Sequence, residues 1–140
     1  MHTFTLSSAA ATRQCGFDIG CLLSPGDMIW LSGPLGAGKT TFAQGVAQSL
    51  GLEEPISSPT FVLMQEYPGQ IPLLHLDAYR LENLDYEALR DAGLEDFLAR
   101  NDAVRLIEWP EMVAAWLPEP RFRVSLKIEG ETRVVSVEGA

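Results

Sequence analysis

Residues 29–42 read Ile-Trp-Leu-Ser-Gly-Pro-Leu-Gly-Ala-Gly-Lys-Thr-Thr-Phe. The run predicts an apolar strand, a glycine-rich loop and a helix, and Gly33 to Thr40 fills the pattern G-x-x-x-x-G-K-[ST] between them. At this composition a chance match is roughly 0.2% over all windows. The pattern therefore implies a nucleotide site. Glycines let the backbone turn tightly, so that Gly33, Leu35, Gly36, Ala37 and Gly38 can bring N–H groups close to phosphate oxygens. The helix that starts at Lys39 points its positive dipole end at the same place. Lys39 is expected to reach the β- and γ-phosphates of the nucleotide, facing solvent or ligand, and the Thr40 hydroxyl to ligate Mg²⁺.

The rest of the composition narrows the classes. A length of 140 residues predicts one domain, 1–140. A net charge of −9 argues against a generic binder of polyanions such as DNA. Cys15 and Cys21 show no metal-type spacing, which predicts reduced thiols and a cytoplasmic setting. No apolar run approaches a membrane span.

Along the chain, His2 to Leu6 reads as a short edge strand, and Ser7 or Ser8 caps a helix to about Leu23. Met28 to Ser32 feeds the glycine-rich loop, and Thr40 to Leu50 is a helix stopped by Gly51. Strands are expected at Phe61 to Tyr67, Ile71 to Leu76 and Ala103 to Ile107. Between the last two, Asp85 to Ala99 is an acidic helical region interrupted near Gly93, and a short helix from Glu111 to Trp116 follows the third. Phe122, Val124, Leu126 and Ile128 alternate with Arg121, Arg123, Ser125 and Lys127, and Arg133 to Val137 returns as a hairpin partner. The fold class is α/β, a phosphate-loop three-layer sandwich with a mixed, mainly parallel sheet and a C-terminal antiparallel hairpin.

Such a site needs an acid near Mg²⁺, commonly at the carboxyl end of an apolar strand. Asp77 and Glu108 both hold that position. Thr60, in a turn-rich loop before a strand, is a candidate switch hydroxyl, although a plain turn threonine fits its pattern better. His75 reads as a hydrogen-bonded core histidine, Trp109 as packing, and the Arg121, Arg123 and Lys127 stripe as a solvated strand face.

Taken together, Thr12 with Gly16, Gly33 to Thr41, Ser58-Pro-Thr-Phe61, His75-Leu-Asp-Ala-Tyr-Arg80, Ile107-Glu-Trp-Pro110 and Arg133 resemble the TsaE (YjeE) family. The resemblance spans nearly the whole chain. It implies an ATPase of tRNA threonylcarbamoyladenosine biosynthesis that binds ATP and Mg²⁺ and works with TsaB and TsaD, meeting tRNA only through that complex and monomeric on its own. It implies that Lys39, Thr40 and Thr41 hold phosphate and Mg²⁺, that Glu108 is the acidic Mg²⁺ ligand, and that Asp77 is catalytic or coupling. It places Thr60 in the switch loop and Arg133 at the nucleotide. Pro34 departs from the family's usual Asp. The alternatives are a small phosphate-loop kinase acting on a small-molecule acceptor and a nucleotide-dependent binding module. A kinase lid rich in Arg is not expected, because only Arg90 and Arg100 fall between Arg80 and Arg105, among seven acids.

Overall fold

Strand alternation decides which side of the sheet each residue meets. In the computed structural model, which describes residues 2–52, 64–79, 85–91 and 93–139, β2 (Met28–Ser32) turns Ile29 and Leu31 to one face and Met28 to the other. The first face is covered by α1 (Ala9–Gly20) and α2 (Lys39–Ser49), with Phe42 and Val46 fully buried against Leu73, Val104 and Leu106. The second is covered by α3 (Tyr86–Asp91) and α4 (Leu94–Ala99), whose Leu89, Leu94 and Phe97 meet Leu74, Leu76 and Ile107. Each fully buried side chain of this kind contributes about 1.5–3 kcal/mol.

The sheet has seven strands in the order β1-β7-β6-β2-β5-β4-β3. Its middle, β6 (Phe122–Glu129), β2, β5 (Val104–Glu108) and β4 (Leu73–Asp77), is parallel. At one side β7 (Thr132–Gly139) returns antiparallel from β6, and β1 (His2–Leu6) pairs antiparallel with it. At the other side β3 (Met64–Tyr67) is antiparallel to β4. This is the mixed three-layer arrangement expected, with the C-terminal hairpin in place.

Three local differences have physical causes. β4 begins at Leu73 rather than Ile71, because Pro72 has no N–H for the ladder and offers only its carbonyl, to Val104 N. α1 stops at Gly20, and Leu22 and Leu23 close a tighter turn onto the Ile19 and Gly20 carbonyls. The short helix after β5 is instead two single 3₁₀ turns, Pro110–Met112 and Ala114–Trp116, broken at Val113, whose side chain is drawn into the core. The expected strand from Phe61 is seen from Met64, and residues 61–63 lie outside those described.

The helix that carries the glycine-rich loop is held by α1 at backbone contact. A Cβ on Gly45 would lie 2.0 Å from the Arg13 carbonyl oxygen, and one on Gly16 would lie 2.1 Å from that of Phe42. Gly45→Ala is therefore expected to lower stability by about 1–3 kcal/mol through overpacking against backbone. Gln48→Ala, on the exposed side of the same helix, should stay within about 0.5 kcal/mol. Urea unfolding of both checks this, and equal effects would contradict the close crossing.

Candidate functional site

Register brings the two expected acids together. Asp77 and Glu108 are directly paired across β4 and β5, at the carboxyl ends of both strands. Both share parity with Leu73, Val104 and Leu106, so they belong to the face covered by α2. Two backbone bonds tie this edge: Ala78 N to Glu108 O at 3.0 Å, and Trp109 N to Leu31 O at 3.3 Å. The strand that feeds the loop is thereby fixed to the strand that carries Glu108.

The loop ends at Gly38, whose φ of +102° is left-handed and open chiefly to glycine. Gly38 caps α2 without a side-chain hydrogen bond, so no cap side chain competes for its first-turn amides. Leu35 stands exposed at the loop tip and Ala37 is fully buried beneath it. The Lys39 ammonium donates to the Gly33 carbonyl and lies 3.8 Å from the centre of the Trp109 ring. Lys39 is 6% exposed, so of the solvent or ligand it was expected to face, solvent is largely shut out. Burial pushes its pKa down, while Glu108, Asp77 and Glu111 pull it up. Burial also pushes the Asp77 carboxyl up, with Glu108 adding to the rise. A hydrogen bond from Tyr79 N, at 3.0 Å, and the charges of His75 and Lys39 oppose it.

Trp109 is more than packing. It carries φ +57°, the one positive φ outside glycine among the described residues. Pro110 disfavours the ordinary helical region for the residue before it, and the turned backbone lays the indole under Lys39 and against Tyr79, 4.9 Å between ring centroids. Nothing local marks that role; only the strand order makes it possible. His75 is buried and hydrogen-bonded as expected, but its partner is Glu108, Nε2 to Oε2 at 2.5 Å. The basic stripe is largely tied down: Arg121 pairs with Asp27 at 2.7 Å, and Arg123 pairs with Glu119 and lies over Trp30.

On the other side of the loop, Arg133 lines a cavity of about 240 Å³ with Ser8, Thr12, Gly36, Gly38 and Thr41. The hairpin, α1 and the loop thus converge on one hollow beside the glycine-rich loop. Thr60 and Arg80 lie outside the described residues. Among the described residues no group of three or more His, Cys, Asp or Glu forms a metal cage. Glu108, Asp77 and the Thr40 hydroxyl are hard oxygen donors, the chemistry of a Mg²⁺ that takes one or two carboxylates and completes its shell from phosphate and water. One ammonium among three carboxylates also leaves the site acidic, so a polyphosphate fits it together with a divalent cation.

The model of the family described as threonylcarbamoyl adenosine biosynthesis protein TsaE matches residues 6–135. The chain belongs to the TsaE family. Proteins of this family take part in threonylcarbamoyladenosine biosynthesis on tRNA. The TsaE protein of Treponema pallidum is 42% identical over 121 residues, 86% of this chain and 87% of its own length. That of Streptomyces coelicolor is 37% identical over 135 residues, 91% and 89% of the two chains. The crystal structure of Bacillus subtilis YdiB superposes with a TM-score of 0.74 at 29% identity, covering 97% of this chain and 83% of that one. No described helix is long and apolar enough to cross a membrane.

Lys39→Ala removes the ammonium that faces Asp77, Glu108 and Glu111, together with its packing on Trp109. It should lower stability by about 1–3 kcal/mol. The loss should shrink in an Asp77→Ala background, because the two groups are coupled. A double-mutant cycle by urea unfolding at pH 7 measures both terms. No loss together with strict additivity would contradict the arrangement.

Proposed function

We propose that this chain is an ATP-binding and ATP-hydrolysing factor for threonylcarbamoyl modification of tRNA adenosine 37, acting with TsaB and TsaD. The observation that carries the reading is the convergence of Lys39, at the start of α2, with the register-paired Asp77 and Glu108. The site residues take these roles. Backbone amides of Gly33, Leu35, Gly36, Ala37 and Gly38 cradle the phosphates, with Thr41 beside them in the first turn of α2. Lys39 leaves the Gly33 carbonyl for the β- and γ-phosphate oxygens. Thr40 and Glu108 hold Mg²⁺, Asp77 orients the attacking water or couples it to the switch, Thr60 belongs to that switch, and Arg133 contacts the nucleotide from the hollow beside Thr41. Bound Mg²⁺ supplies charge neutralisation for the β- and γ-oxygens.

The kinase alternative finds no support in the described part of the stretch where a lid would stand. Arg100, one of its two arginines, is bound to Glu66 and Asp102. The motifs hold few basic residues, Lys39 itself and Arg80 three residues past Asp77, which supports a reading in which a partner completes the site. Hydrolysis by the isolated protein is expected on the order of 10⁻⁴ to 10⁻² s⁻¹, rising roughly 10³-fold or more once a partner completes the site. Thr60→Ala should keep nucleotide affinity and lose most of that stimulation. Steady-state phosphate release by wild type and Thr60→Ala, each alone and with the TsaB–TsaD pair, tests the proposal. Fast turnover by the lone chain that the pair leaves unchanged would overturn it.

A further inference from the structure

His75 stands in a place where an apolar residue would cost less. It lies in β4 among Leu73, Leu74 and Leu76, is fully buried, and leaves Nδ1 without a hydrogen-bond partner among the described residues. A buried polar atom left unpaired is costly, and leucine at this position would avoid that cost. The one hydrogen bond the ring makes among the described residues is to Glu108 Oε2, at 2.5 Å. Register explains the reach. His75 pairs with Leu106 across the parallel ladder, one step before the Asp77–Glu108 pair on the same face, so its imidazole meets Glu108 on the diagonal. A carboxylate only accepts, so this bond places an imidazole proton on Nε2.

We infer that His75 is a positioning residue that holds Oε2 of Glu108 within the sheet and so presents Oε1 as the oxygen offered to the divalent cation. The inference rests on the reading of Glu108 as the cation's ligand. A glutamate has three side-chain torsions and would otherwise sample several carboxylate orientations beside the loop. Fixing one oxygen by a charge-assisted bond removes most of that freedom before nucleotide arrives. An outer partner that orients a liganding carboxylate typically changes metal affinity by 10–100-fold when it is lost. Because β4 also carries Asp77 two residues on, the same strand sets both acids relative to the loop.

The test measures Mg²⁺ dependence rather than turnover. ATP binding is followed by calorimetry as Mg²⁺ is titrated, for wild type, His75→Leu, His75→Gln and Glu108→Ala. His75→Leu should raise the Mg²⁺ needed for half-maximal tightening by about 10-fold or more, with affinity for metal-free ATP unchanged and folding intact. His75→Gln, whose amide N–H can reach the same carboxylate oxygen, should restore most of the shift. If Glu108→Ala moves the midpoint and His75→Leu does not, the positioning role is wrong while the ligand role of Glu108 stands. If neither moves it, both fail. Wild-type protein supplies an independent measurement, since His2 is its only other histidine. Its imidazole ¹⁵N spectrum should show a proton on Nε2 of His75, in a hydrogen bond to Glu108. An Nε2 without a proton would overturn the inference even if His75→Leu fails to fold.

Discussion

The buried ammonium of Lys39 is the contact on which the carboxyl edge of the sheet depends. It bonds the loop carbonyl of Gly33, lies on the Trp109 ring and compensates Asp77, Glu108 and Glu111. Burial works against the charge, and the three acids hold it there. Without the ammonium, carboxylates at the ends of two adjacent parallel strands would repel one another in a partly dry setting. With it, the cation already sits beside the loop where a phosphate would need it.

That arrangement requires the sheet order. Placing β5 between β2 and β4 sets the strand that feeds the loop beside the strand that ends in Glu108, and sets Asp77 next in line. Ligands in open α/β sheets bind at this edge because the loops after the strands diverge there. The Trp109 backbone bond to Leu31 and the Ala78 bond to the Glu108 carbonyl keep the three strand ends in step. On the far side, α1 fixes α2 through the Gly16 and Gly45 contacts, so the first turn of α2 cannot drift from the sheet. Of the antiparallel strands on either side of the parallel centre, β7 brings Arg133, near its start, to the hollow beside the loop.

Features that depend on neighbours in sequence were readable from sequence. Gly33 to Thr40 is contiguous, the alternation in β2 and β6 is local, and Gly93 breaks the acidic helical region where the structure separates α3 from α4. The acids could be nominated because each follows an apolar strand, but their pairing could not. Asp77 meets Glu108 only through the register of β4 against β5, which no local pattern encodes. The same holds for His75 with Glu108 and for Trp109 with Lys39, where residues far apart in the chain meet across strand ends. His75 did carry a signal of parity, two residues before Asp77 and on its face. Residues 112–116 form an unbroken apolar run with no period that tells one short helix from two 3₁₀ turns. Val113 turns inward and separates the two turns.

The most direct measurement is a crystal structure of the protein with Mg²⁺ and a non-hydrolysable ATP analogue. The account predicts that phosphate oxygens sit against the backbone of residues 33–41 and that the Lys39 ammonium has moved from the Gly33 carbonyl to the β- and γ-phosphates. It also predicts a divalent cation that Thr40 and Glu108 would hold. Phosphates bound elsewhere on the sheet, with Lys39 still on Gly33 and Trp109, would contradict it.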